Sequence, residues 1–197
     1  MARIEPIPIR EWPPEMRDAL AAMDPPEPRH PKLSPEGRPK ALNLLGTFAH
    51  HTALAHAFFT FNGHLIRATT LSERQRELLV LRVAARLDCP YEWAQHVAMA
   101  GAAGLTEEEI ARAGSDELSS DWSALDAGLL HAVDELVAGG VITDDTWKVV
   151  AAELDAQQLL DVIYTVGAYQ TLAWMVRSLD VPVDDDLVEF LPPDSDG

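Results

Sequence analysis

The chain is 197 residues long, 47% hydrophobic and 24% charged, with a formal net charge of −17, which is enough apolar sequence for one domain with a real core and excludes a disordered chain. Residues 1–103 carry 12 basic and 11 acidic side chains, whereas residues 104–161 carry 2 and 14, so nucleic acid and anionic membrane surfaces are excluded as partners. Cys89 is the only cysteine, which excludes an intramolecular disulfide and a multi-thiolate metal site within one chain.

The first residues lack the apolar core of a signal peptide, and no run approaches the roughly 18 apolar residues of a membrane span, so a cytoplasmic protein is expected. Residues 1–40 hold ten prolines and leave room for one short helix near Glu15–Met23; they read as an arm. From residue 41 to 179 the punctuation is helical throughout. Ala41–His51 and Thr52–Arg67 read as two helices. Ser72 with Gln75 forms a capping box that opens a helix over Glu73–Leu87. Asp88 is expected to cap the next helix, Cys89–Ala103, with Pro90 in its first turn and Gly104 as its stop. Thr106 with Glu109 opens a short helix ending at Gly114. Asp121 precedes Trp122–Ala138, Thr143 precedes Asp144–Leu154, and Asp155 caps a long helix over Ala156–Leu179. Residues 180–197 form an acidic tail without Lys or Arg, expected to be mobile or laid on a neighbour. The sum is an all-α domain of about seven or eight helices.

Two helices carry the candidate chemistry. In Glu73–Leu87, Glu77 shares an angular sector with Val80, Leu81 and Ala84, so its carboxylate points toward the core, where burial raises a carboxyl pKa into the range of proton transfer. In the following helix Cys89, Glu92 and His96 recur at i, i+3 and i+7, an arc of about 60° on a regular helix. At a helix N-terminus the dipole lowers a thiol pKa, which makes Cys89 a candidate nucleophile, although a lone cysteine also serves as a small buried hydrophobe. Glu92 and His96, at i and i+4, can hydrogen-bond as an acid/base pair. Either Glu77 or Glu92 could orient the imidazole. Tyr91 and Trp93 flank the pair and read as pocket wall, subunit contact or plain core. Arg82 is the nearest cation in sequence for binding a substrate anion, although its placement away from the Glu77 face counts against it. His50, His51, His56 and His64 read as surface or capping histidines, two of which could approach the site, and Tyr164, Tyr169 and Trp174 could close a cavity. Glu92 and His96 alone do not make a metal motif, and neither metal nor cofactor is expected.

The combination of Glu77, Cys89 and His96, with Leu71-Ser-Glu-Arg-Gln-Arg-Glu-Leu-Leu-Val-Leu-Arg-Val-Ala upstream and Gly101-Ala-Ala-Gly-Leu-Thr-Glu-Glu-Glu-Ile downstream, resembles the AhpD-like superfamily, which includes carboxymuconolactone decarboxylases. The resemblance covers about residues 41–114. It implies an AhpD-like helical bundle, assembled as a trimer or hexamer. The redox branch of that superfamily carries Glu-x11-Cys-x2-Cys-x3-His, and here Glu92 stands where the second cysteine belongs. A carboxylate cannot resolve a sulfenic acid into a disulfide, so the two-cysteine cycle is closed to this subunit. What the resemblance then implies is a carboxymuconolactone decarboxylase-like, cofactor-independent acid/base enzyme acting on a small organic acid, lactone or carbonyl compound. Glu77, Glu92 and His96 would form its proton-transfer core, with Cys89 lining the pocket. Two alternatives stand beside it: a one-cysteine thiol peroxidase served by an external thiol, and a non-enzymatic helical assembly or regulatory protein in which the triad is a buried polar network.

Overall fold

A computed structural model of the chain describes residues 2–32 and 39–192; residues 33–38 of the arm and 193–197 of the tail lie outside the described residues. Among the described residues there are nine α-helices and no strand, as the all-α reading requires. They are α1 (Met16–Ala21), α2 (Leu42–Phe48), α3 (Thr52–Gly63), α4 (Glu73–Arg86), α5 (Pro90–Ala100), α6 (Glu107–Ala113), α7 (Ala124–Gly139), α8 (Asp144–Val150) and α9 (Ala156–Leu179). Eight of them, α2 to α9, fall between residues 41 and 179, as expected of the domain, and α1 is the short helix of the arm.

Local chemistry sets most of the boundaries. The Ser72 hydroxyl accepts the Gln75 N–H while the Gln75 side chain returns to the Ser72 N–H, and Thr106 with Glu109 and Asp155 with Gln158 repeat the box. Each such cap satisfies otherwise orphaned amides and stabilises its helix by about 1 kcal/mol. At the α4–α5 junction the expectation is corrected. Asp88 does not cap α5; it takes a left-handed conformation, φ 48°, that ends α4, and Cys89 becomes the residue before the first turn of α5. Asp tolerates that region better than most side chains, and the turn lets the Cys89 N–H reach the Ala84 carbonyl at 2.9 Å.

Helix α4 runs through the middle, with Leu78, Leu79, Val80 and Leu81 fully buried, and packs on α5, α7 and α9. Helix α9 is long and apolar enough to cross a membrane, with mean hydropathy 1.2, and half of that stretch is buried inside the protein. This corrects the reading that no such run exists. The composition follows from a helix apolar on two sides: Val162, Val166 and Tyr169 face the core, while Leu160, Tyr164 and Trp174 stand exposed.

Both ends of the described chain lie on the bundle. Met16 and Ala19 of α1 are buried against α3, and the approach is close: a Cβ on Gly63 of α3 would sit 2.5 Å from the Met23 carbonyl oxygen. The Ile7 N–H donates to the Gly46 carbonyl of α2, where a Cβ would also collide with Ile7 backbone. As far as Pro192 the acidic tail is laid on the chain's own bundle. A short helix over Asp185–Phe190 packs on α5, Leu187 is fully buried, and Asp184 accepts hydrogen bonds from the Tyr91 hydroxyl and the Asn43 N–H.

Candidate functional site

The antiparallel neighbours α4 and α5 bring Glu77 and His96 together in the interior. Glu77 Oε2 and His96 Nδ1 are 2.6 Å apart, and both side chains are at most 4% exposed. Burial alone would raise the Glu77 carboxyl, but the charge and hydrogen bond of His96, joined by those of Arg76, more than offset it and hold the group below the ordinary carboxylate range. An ionised carboxylate has no proton to give, so Nδ1 carries it and donates to Oε2, which fixes the ring and leaves Nε2 facing outward. Tyr169 of α9 meets the imidazole edge-on, at 4.9 Å between ring centres and 85° between planes.

Arg76 is the member that sequence reasoning missed. Its Nε and Nη2 donate to Glu77 Oε1 at 3.1 and 2.9 Å, and its Nη1 donates to the Ile66 carbonyl at 2.6 Å. Adjacent residues on a helix point about 100° apart, so nothing in the pattern pairs Arg76 with Glu77. The signal available was its company: an arginine one residue from an inward carboxylate, early in a helix that is otherwise buried.

Glu92 lies on the other side of the ring, its Oε2 3.8 Å from His96 Nε2. That is an ion-pair distance and too long for the expected hydrogen bond. The orienting role therefore falls to Glu77. Burial pushes the Glu92 carboxyl up to about 6, against the pull of His96. Its Oε1 has no hydrogen-bond partner, and neither do the carboxamide oxygens Asn62 Oδ1 and Gln95 Oε1. A buried acceptor without a partner costs about 1–3 kcal/mol, so three of them in one place need a reason. All three side chains, with His96, line one cavity of about 430 Å³ whose walls include Phe48, Phe58, Phe59 and Tyr169 and whose mouth carries Lys32 and Lys40.

The remaining sequence candidates lie elsewhere. Cys89 is excluded from the His96 cavity because it sits before the first turn of α5, at φ −114° and ψ 86°, and so falls out of the helical phase that the i, i+3, i+7 reading assumed. It lines a separate cavity of about 840 Å³ with Trp93, Val97 and Ile110. Its thiol is pushed up to about 12 by burial and by the Glu92 charge, a backbone N–H being too little to reverse them. The expected activation by the helix terminus therefore does not arise. Arg82 is withdrawn as a substrate-anion ligand: its fully buried guanidinium spans both oxygens of Asp134 at 2.7 Å and caps the Ala113 and Ser115 carbonyls. Tyr91 anchors the C-terminal segment through Asp184 and does not reach the His96 cavity. Trp93 packs on Gly114, where a Cβ would meet its ring at 2.6 Å. Tyr164 and Trp174 are exposed, and of the three α9 aromatics Tyr169 alone lines the cavity. His51 caps α3, His50 meets the Glu5 carbonyl, His64 pairs with Asp161, and His56 is exposed. Among the described residues no group of three or more His, Cys, Asp or Glu side chains could hold a metal ion.

Residues 52–135 match the carboxymuconolactone decarboxylase family, a span that includes α3 to α5 and hence Glu77, Glu92 and His96. No protein of curated function matches the chain. Solved structures share the fold at low identity. A protein of unknown function from Agrobacterium tumefaciens, assigned to AhpD-type antioxidant defence, is 18% identical with a TM-score of 0.64, over 70% of this chain and 94% of its own. A peroxidase-related protein with an AhpD core from Ralstonia eutropha JMP134 is 15% identical with a TM-score of 0.66, over 83% and 95%. The debrominase Bmp8 is 10% identical with a TM-score of 0.73, over 93% of each chain, and has also been solved as a cysteine-to-alanine variant holding 2,3,4-tribromopyrrole.

Proposed function

We propose that this chain, whose segment 52–135 belongs to the carboxymuconolactone decarboxylase family and whose fold is AhpD-like, is a cofactor-independent acid/base enzyme acting in the cytoplasm on a small lactone, organic acid or carbonyl compound. The observation that carries the reading is the relay Arg76, Glu77, His96, Glu92, which ends in a cavity instead of closing on itself. Arg76 and His96 hold Glu77 ionised, Glu77 holds the imidazole, and Nε2 is presented to whatever occupies the 430 Å³ space. In the reaction, Nε2 takes a proton from carbon beside the substrate carbonyl. The C–H electron pair passes into an enolate whose charge is offset by the imidazolium formed beside it, and that imidazolium, stabilised by Glu77, returns the proton to the product. Glu92, its carboxyl near 6 and 3.8 Å from Nε2, sets a carboxylate beside the imidazolium when ionised. A related fold that holds a small halogenated pyrrole supports reading such an interior as a small-molecule site.

The one-cysteine peroxidase finds no support in a thiol pushed up to about 12 and 2% exposed, since the thiolate is the reactive form. Against a purely structural network stand three unpaired acceptors gathered on one cavity beside His96. We also propose a homo-oligomer, a trimer or hexamer, assembled through the exposed apolar side of α9, where Leu160, Ile163, Tyr164 and Trp174 are at least 37% accessible. Light scattering at micromolar concentration checks this, and a strict monomer rejects it.

The catalytic reading is tested by incubating the protein with ring lactones and carbonyl compounds in deuterated water and following deuterium at carbon by NMR. Exchange is expected with wild type. It is expected to fall by about 100-fold or more in His96→Ala and Glu77→Gln, the usual contribution of a positioned acid/base group. Folded variants that keep full exchange reject the assignment.

A further inference from the structure

The polar lining of the His96 cavity is one-sided. Asn62 Oδ1, Gln95 Oε1 and Glu92 Oε1 are all acceptors, each is fully enclosed, and none has a partner. The three residues are at least nine-tenths buried and come from two helices, α3 and α5, so they are not a single local cluster. With Nδ1 of His96 committed to Glu77, its Nε2 adds a fourth acceptor whenever the ring is neutral. Among the described residues, three nearby cations are paired. Arg76 is saturated by Glu77 and the Ile66 carbonyl, Arg82 by Asp134 and two backbone carbonyls, and Lys32 at the mouth pairs with Asp24 at 2.7 Å. Lys40 lines the exposed rim. The apolar share of the wall is aromatic: Phe48 and Phe58 are near-parallel, 5.3 Å apart, with Phe59 edge-on to both. Such a wall favours a flat ring, and a volume of about 430 Å³ holds a molecule of one or two rings.

We propose that the natural ligand of this cavity is a small, uncharged ring compound bearing O–H or N–H donors, and that Asn62 and Gln95 are the residues that select it. A donor-bearing ring toward which the Asn62 and Gln95 amides turn satisfies acceptors that the fold leaves unpaired, whereas a carboxylate would set negative charge against Glu92 and two carbonyl oxygens. Of the substrate classes proposed above this removes the organic acid and keeps, among neutral lactones and carbonyl compounds, those that also carry an O–H or N–H donor. The inference rests on the His96 cavity being the site.

The test is calorimetric titration of the full chain with catechol, indole, toluene and benzoate. Catechol and indole are expected to bind at least about tenfold more tightly than toluene or benzoate. Asn62→Leu and Gln95→Leu are each expected to weaken catechol by about tenfold while leaving toluene unchanged, with circular dichroism confirming the fold; if one variant fails to fold, the other decides. Benzoate or toluene binding as tightly as catechol overturns the proposal. So does catechol binding unchanged in the folded variants, or no binding by any probe at millimolar concentration. The two readings fail separately. Catechol binding as described, with deuterium exchange unaffected in His96→Ala, removes the acid/base function and keeps the ligand class; exchange confined to anionic acids removes the ligand class alone.

Discussion

Arg76 and Arg82 lie on the same helix, are both almost fully buried, and both pair with a carboxylate, yet the two networks end differently. Around Arg82 the accounts close. Asp134 is bound at both oxygens by Arg82 and again by Arg86, and the remaining Arg82 donors meet backbone carbonyls, so the cluster stitches α4 to α7 and the end of α6. Burial would raise Asp134, but hydrogen bonds from the two arginines hold it below its ordinary range. Around Arg76 the chain of contacts runs outward through Glu77 and His96 and stops at acceptors with nothing to accept. A buried ion pair is thus no sign of a site by itself; an unfinished one is.

The comparison breaks most visibly at Arg82. Arg82→Met is expected to cost about 3 kcal/mol of unfolding free energy, at the low end for a broken buried pair because Asp134 keeps Arg86 and is 22% exposed. Urea denaturation measures it, and deuterium exchange per folded molecule is expected to stay at the wild-type rate; a matching loss of exchange would erase the distinction between the two networks. Glu77→Gln, which leaves Arg76 buried without its counter-charge, is expected to cost stability as well, but unlike Arg82→Met to lower exchange per folded molecule by about 100-fold, equivalent to about 2.7 kcal/mol in the barrier.

Glu92 gives a pH-dependent effect of intermediate size. Its carboxyl stands near 6 in the fold against 4.5 as the reference, so the folded state prefers the protonated form. The protein is unburdened below about pH 4.5 and bears the full cost of a buried charge above about pH 6, roughly 2 kcal/mol from the shift. Glu92→Gln should accordingly raise stability by up to about 2 kcal/mol at pH 8 and leave it unchanged at pH 4. Denaturation midpoints at the two pH values check the sign, and equal effects at both would show that Glu92 is not held neutral by burial. The smallest effect is expected at Cys89. Cys89→Ala should cost about 1 kcal/mol of packing and leave exchange intact, and thiol titration should show no reaction below pH 9.

What the sequence discloses follows the range of each interaction. The boxes at Ser72, Thr106 and Asp155 act over three residues and place helix starts directly. Glu77 and His96 are legible because helical period alone turns both inward, and the structure brings them within 2.6 Å. Helical period also misleads: it extends back to Cys89 as though that residue were already helical, when the left-handed Asp88 ends one helix just before it. Partners distant in sequence leave no local trace. Arg82 finds Asp134 at 52 positions' remove and Tyr91 finds Asp184 at 93, so a guanidinium read as a ligand and a phenol read as pocket wall prove to be fasteners. Asn62 and Gln95 are invisible until the cavity is seen, because what distinguishes them is a missing partner.

The two ends of the described chain meet on α2. Ile7 holds Gly46 from one side, and Asp184 holds Asn43 and Tyr91 from the other. Helix α2 also supplies Leu44, Leu45 and Phe48 to the cavity wall. Within the bundle, Phe48 packs on Phe58 and Phe59 of α3, and the Leu44 N–H reaches the Tyr91 hydroxyl at 3.4 Å. Segments on both flanks of the helical core thus brace the same wall, so trimming either flank is expected to loosen one and the same cavity.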